Sequence, residues 1–314
     1  MASIYGRPKL RIGVWKEAFA FPFRNFFTLL QFSLVPMLIA VAVSAAILYY
    51  ASPFNMPIST LDELQRYTES KNTALNAISF VTTIFGLVIA VCIHRLIVRG
   101  ERPGWIIVRF GRYEIAYAGA ILVYILVILA LLIPIVASVA ASVFFGLVPA
   151  EVFTMSGPVA PDVAERLKVP GLLFALGVLV TVIVVWWVQV RLALIFPHAA
   201  VTGRISLGVS WKAMKGNFWR FVAAILILGL VSLLLWAVVG GAILALAVSY
   251  FGSFLSLAAN DPAQIGNMLY VMLLAQICML PLYVFGFSMF VALISYIYAD
   301  LVGDTWSAGA AAVR

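Results

Sequence analysis

Charge is what this chain has least of. Only 10% of its 314 residues are Asp, Glu, Lys or Arg, and its twelve acids all fall in loops or at the edges of long apolar runs. Ion-coupled transport commonly leaves ionisable side chains inside the spans, so this scarcity argues against it. Histidine is limited to His94 and His198. Neither stands in an HExxH, a Gly-x-Ser-x-Gly or a phosphate-binding glycine loop, and each reads as an interfacial or helix-end residue. No catalytic residue, cofactor or metal site is expected, and the chain reads as a non-enzyme. The two cysteines, Cys92 and Cys278, lie in apolar runs without metal-ligand spacing. Both read as small hydrophobes rather than a disulfide. No linker or shift in composition divides the chain, so residues 1–314 form one integral membrane domain.

What is abundant is apolar sequence, 65% of the residues, with mean hydropathy +1.12. It falls into six runs, at about 27–50, 74–98, 115–148, 171–197, 221–251 and 268–299. A span needs roughly 20 apolar residues to cross about 30 Å of hydrocarbon. Backbone polar groups in lipid must pair within their own segment, which makes each run a helix. The fold class expected is all-α: a polytopic membrane protein whose six transmembrane helices form three hairpins, with short interfacial helices between them. Residues 1–26 form an amphipathic arm and 300–314 a tail. The arm precedes a first run too long for a signal-peptide core, so an uncleaved first span is expected.

The basic residues set the orientation. Arg7, Lys9, Arg11, Lys16 and Arg24 precede the first run. Arg95, Arg99, Arg102, Arg109 and Arg112 follow the second, and Arg191, Arg204, Lys212, Lys215 and Arg220 follow the fourth. These three clusters of five hold fifteen of the twenty Lys and Arg residues, and Arg314 joins them. Lys and Arg accumulate on the cytoplasmic side, which places both termini there. The formal charge of +8 could suggest nucleic acid, but the basic residues flank spans. Membrane lipids, and above all anionic head groups on the cytoplasmic side, are the expected partners, together with other membrane proteins.

A threefold rhythm underlies the clusters. Each odd-numbered run is preceded by a basic stretch bearing Trp: Trp15-Lys16 leading to Asn25-Phe26-Phe27, Trp105 leading to Arg112-Tyr113, and Trp211-Lys212 leading to Asn217-Phe218-Trp219-Arg220. The repeating unit is an interfacial helix, a span out and a span back. In the third unit Ser206 can cap the interfacial helix and Gly216 can end it, with Trp211 toward the apolar side and Lys212 and Lys215 toward head groups.

One polar constellation stands out. His94, Arg95, Arg191 and Asp300 all fall near the cytoplasmic ends of the even-numbered spans. They read either as an anionic head-group or partner site, or as a clasp in which Asp300 pairs with Arg95 or Arg191. The clasp is the favoured expectation, since a partner lowers the desolvation cost of a buried acid.

The segment Val190-Arg191-Leu192-Ala193-Leu194-Ile195-Phe196-Pro197-His198-Ala199-Ala200-Val201, followed by Ser210-Trp211-Lys212-Ala213-Met214-Lys215-Gly216-Asn217-Phe218-Trp219-Arg220, resembles a known pattern. It is similar to the membrane domains attached to glycerophosphoryl diester phosphodiesterases and to YciC-like bacterial membrane proteins. The resemblance covers about thirty residues, with a weaker echo from His94 to Glu114. It implies a six-span inner-membrane protein without the soluble phosphodiesterase domain of the fused relatives, so no catalytic residue carries over. The expected function is that of a scaffold or accessory protein engaging lipids and membrane proteins. The alternative is a channel, transporter or lipid-translocating protein.

Overall fold

The computed structural model describes residues 9–51, 61–102, 111–144, 168–258 and 282–303. Among the described residues the fold is all-helical, and six helices are long and apolar enough to cross a membrane. In chain order the helices are α1 (Val14–Arg24), α2 (Phe26–Ala51), α3 (Leu61–Arg99), α4 (Arg112–Phe144) and α5 (Lys168–Leu192), followed by α6 (Ile195–Thr202), α7 (Leu207–Ala213), α8 (Phe218–Ala258) and α9 (Leu282–Gly303).

Three of the expected spans have different limits, the fifth because α8 runs on to Ala258 past the expected end at 251. The second run starts at Ala74 by hydropathy, yet α3 begins at Leu61. The stretch expected to be outer loop is helical from there because Gln, Glu and Arg are good helix formers. The Gln65 amide also donates to Glu69 one turn on, at 3.1 Å. The fourth run was expected to continue to Pro197, but α5 stops at Leu192 and α6 starts at Ile195. Pro197 explains the break: its ring clashes with the carbonyl four residues back, Ala193, and it has no N–H to give. In the first turn of α6 it is tolerated, because those N–H groups lack intrahelical partners anyway. The start of the sixth run at 268 lies outside the described residues.

The interfacial helices differ among the units. α1 forms ahead of α2, and α7 ahead of α8. Trp105 and its neighbours lie outside the described residues. Ser206 does sit at the N-cap of α7 in extended conformation, but its side chain makes no capping bond. Gly216 has φ +86°, a left-handed conformation that a residue without Cβ adopts freely, and it turns the chain from α7 into α8.

Units one and three share a hydrogen-bond signature. Asn25 Nδ2 donates to the Phe21 carbonyl at 3.0 Å, and Asn217 Nδ2 donates to the Ala213 carbonyl at 3.2 Å, each four residues back. The backbone carbonyls of the same two residues accept the first bonds of the following spans, from Leu29 and Phe221 at 2.8 and 3.0 Å. Each Asn thus joins the end of an interfacial helix to the start of a span. The second unit uses another device: the Gly111 N–H donates to Glu114 at 2.9 Å, half of a capping box at the start of α4.

The core gathers at the end of the bundle where the basic clusters meet. Its fully buried members include Phe32, Ile93, Leu194, Ile195, Met214, Phe221, Leu228, Met289, Leu293, Ile297 and Tyr298. α9 supplies the centre: 56% of its most apolar stretch is buried, against 6% for α4. Away from that end the apolar side chains turn outward, as at Leu129 and Ile133 on α4 and Leu233 and Leu234 on α8.

Candidate functional site

The break between α5 and α6 creates a problem that one hydroxyl solves. Ser210, fully buried on α7, accepts a hydrogen bond from the Leu194 N–H at 3.1 Å and donates to the Arg191 carbonyl at 2.7 Å. Both backbone groups belong to the interrupted helix, and left unmet each would cost about 1–3 kcal/mol. α6 is thereby held against α3, α4 and α7. It ends at Gly203, whose φ of +67° and N–H bond to the Ala199 carbonyl at 2.8 Å form a left-handed C-cap. The Arg112 side chain lies across that glycine, where a Cβ would meet Nε at 2.7 Å.

The four residues singled out in the sequence share this end of the bundle, but they do not form one clasp. Asp300 pairs neither with Arg95 nor with Arg191. Its carboxylate accepts two bonds from Arg11, from Nε at 3.0 Å and Nη2 at 2.8 Å. Arg11 also approaches Glu17 at 3.3 Å, and the Asp300 carboxylate raises the guanidinium's affinity for its proton. The arm ahead of α1 therefore reaches the end of α9, a partner that charge spacing along the spans could not reveal. A fork-to-carboxylate geometry of this kind favours Arg.

Arg95 turns the other way. It pairs with Glu101 and lies over the Tyr113 ring at 4.3 Å from its centroid. Arg99 meets the same carboxylate at 2.9 Å. Burial alone would raise the Glu101 pKa, but hydrogen bonds from Arg95 and Arg99 outweigh it and hold the group below its ordinary value.

His94 is buried among α3, α4 and α9. Its Nδ1 lies 2.7 Å from Ser295 Oγ, whose own proton goes to the Val291 carbonyl at 2.7 Å. The imidazole Nδ1–H is therefore the donor. Its ring tilts against Tyr117, with centroids 5.6 Å apart. His198 makes the corresponding tie from α6 to α9, with Nδ1 3.0 Å from the Tyr298 hydroxyl.

Arg191 alone of the four lies against two aromatic rings, 5.0 Å from the Trp187 centroid and 5.2 Å from that of Trp211. The two indoles meet edge to face at 5.2 Å. Among the described residues it makes no ion pair, and its buried Nε has no hydrogen-bond partner.

The interfacial residues divide by role. Trp15 is partly buried in α1, with the Lys16 ammonium 5.8 Å from its ring. Lys212 and Lys215 are exposed, as is Trp219, at 73%. Arg220 instead reaches the arm, donating to the Leu10 carbonyl at 3.4 Å. Asn217 completes that link by accepting from the Leu10 N–H at 3.0 Å. Ser210, Asn217 and Ser295 were not singled out in the sequence as site residues. Ser210 and Asn217 do stand in the Ser-Trp-Lys and Gly-Asn-Phe-Trp motifs, and a small polar residue beside an interfacial Trp was the available signal. Among the described residues no group of His, Cys, Asp and Glu could hold a metal ion.

In comparisons with protein-family models, curated protein sequences and solved structures, nothing matches this chain.

Proposed function

We propose that this chain is a non-enzymatic integral protein of the bacterial inner membrane, a scaffold or accessory protein that engages lipids and other membrane proteins, with its basic end in the cytoplasm. The observation that carries this reading is how the polar groups of the basic end are used. His94, His198, Ser210, Asn217 and Asp300 each bond across helices or to the arm, so their chemistry goes into joining the bundle. The resemblance to YciC-like proteins and phosphodiesterase-linked membrane domains belongs to the same reading. The Lys and Arg clusters beside the Trp residues favour contact with anionic head groups. The exposed apolar flanks of α4, α5 and α8 offer surface to lipid tails or to neighbouring spans.

Purification of the full chain from native membranes tests this reading. It should come with retained phospholipid and a reproducible set of membrane proteins. Recovery of the chain alone, with substrate or lipid movement once reconstituted in vesicles, would replace the scaffold with the translocating alternative. Reporter fusions test the orientation: those after Thr60, Asp162 and Asp261 should read as periplasmic, and those near Arg102 and Arg204 as cytoplasmic. A periplasmic signal at Arg204 would reverse the topology.

A further inference from the structure

Arg95 and Arg191 occupy matching places near the ends of the second and fourth spans, yet only Arg95 has an acid. Glu101 follows it within six residues and accepts its hydrogen bonds. Around Arg191 the chain supplies none: between residues 166 and 260 the sequence contains no Asp or Glu. The third unit instead provides two indoles, which approach the guanidinium by cation–π contact but cannot accept its N–H bonds. Nε is left without an acceptor, while part of the half-buried side chain still reaches the surface. An unmet buried donor carries a free-energy cost, and a planar guanidinium edge matches the oxygens of a phosphate.

A second feature leads to the same point. Leu176, Val180, Ile183 and Trp187 recur every three or four residues on α5, all exposed, and the next position on that face is Arg191. The stripe from Leu176 to Arg191 is roughly 22 Å long at 1.5 Å per residue. One leaflet's hydrocarbon is about 15 Å deep. An acyl chain can therefore lie along the stripe while its phosphate stands at the arginine.

From these contacts we infer that Arg191, packed against Trp187 and Trp211 at the foot of the α5 stripe, is a binding site for the phosphodiester of an anionic glycerophospholipid. The phosphate oxygens accept from the guanidinium edge, and movement of the partly exposed indoles opens Nε to them. Ser210 fixes the site by bonding the Arg191 carbonyl, so that lipid binding and the α5–α6 break share one anchor. This inference rests on the lipid-engaging reading above and specifies where one lipid sits.

Native mass spectrometry of the full chain in detergent, titrated with phosphatidylglycerol, tests it. Arg191→Gln should weaken binding about tenfold, the loss of one charge-assisted bond pair. Arg191→Lys, which keeps the charge without the fork, should also bind more weakly than the native chain. Arg204→Gln, which removes an exposed charge of the same cluster, should stay within about twofold, as expected for a screened surface charge. Elution volume and near-ultraviolet dichroism of the tryptophans establish that each variant is folded, and Arg191→Lys serves if Arg191→Gln is not. Equal losses for Arg191→Gln and Arg204→Gln, or no loss for either Arg191 variant, would overturn the site. Displacement of the lipid by excess inorganic phosphate would overturn the lipid assignment in favour of a soluble anion. Retained lipid identical in the native chain and Arg191→Gln would reject this site and leave the broader reading standing; a chain that retains no lipid would reject both.

Discussion

The two halves of this bundle are built on different principles. At the basic end α3, α4, α6, α8 and α9 bury side chains to near-zero exposure and are cross-linked by hydroxyls, imidazoles and an amide. In the opposite half α4, α5 and α8 present Leu129, Ile133, Leu176, Val180, Leu233 and Val238 outward. Water would punish that second arrangement, but hydrocarbon does not, because lipid tails are as apolar as leucine. Association between spans must then come from close packing and interhelical hydrogen bonds, and among the described residues both concentrate at one end. The α2–α3 hairpin partly bridges the halves, since Ala40 and Ser44 stay buried well along α2.

Removing bulk from each half breaks the contrast most strongly. Phe221→Ala at the basic end should lower stability in detergent by about 3 kcal/mol, the low end for such truncations in water-soluble cores. The low end applies because part of the lost transfer energy is absent in an apolar solvent. Leu233→Ala, 64% exposed in the other half, should change it by less than about 0.5 kcal/mol. Similar losses at the two positions in thermal unfolding would mean that the halves are equally packed.

A smaller effect is expected at the helix break. Ser210→Ala deletes the acceptor for Leu194 and the donor to Arg191 while removing one atom, and should cost about 2 kcal/mol. Hydrogen exchange should then rise at Leu194 and through α6, with α2 unaffected. Unchanged protection at Leu194 would show that another group replaces the hydroxyl.

The smallest effect sharpens the comparison at its outer rim. Arg11 is 62% exposed at its side chain, so its pair with Asp300 should couple by under about 1 kcal/mol in a double-mutant cycle of Arg11→Ala and Asp300→Ala. The losses from Asp300→Ala and Arg191→Ala should simply add. Coupling in the second cycle would restore the clasp expected from sequence and displace Arg11 as the partner.

These outcomes bear on what could be read in advance. Six apolar runs were legible because a membrane span is a property of composition over some twenty residues. The convergence of the basic clusters on one end was legible for the same reason. Pairing was not. Asp300 stands 289 positions from Arg11, and charge spacing along the spans pointed to Arg95 and Arg191 instead. The break at Ala193–Leu194 lay in plain sight as Pro197, yet hydropathy averages across a proline. Ser210 and Asn217 carry no charge and so escaped a search for ionisable groups, although in hydrocarbon a hydroxyl or amide is as useful a fastener. The helical start of α3 at Leu61 was missed because polar residues outside a membrane say little about whether the chain keeps turning.

The central place of α9 has a consequence for biosynthesis. A chain made from its N-terminus delivers this span after the other five, and domains generally fold in the order they emerge. Until it arrives, the space later filled by Met289, Leu293 and Ile297 has no occupant from this chain, and His94, His198 and Ser232 lack their partners Ser295, Tyr298 and Met289. The first five spans are inserted but not yet sealed, and the ribosome must finish the sixth before the basic end can close. Arrival of the sixth span, rather than insertion of any earlier hairpin, is then the step that fills the core of the basic end.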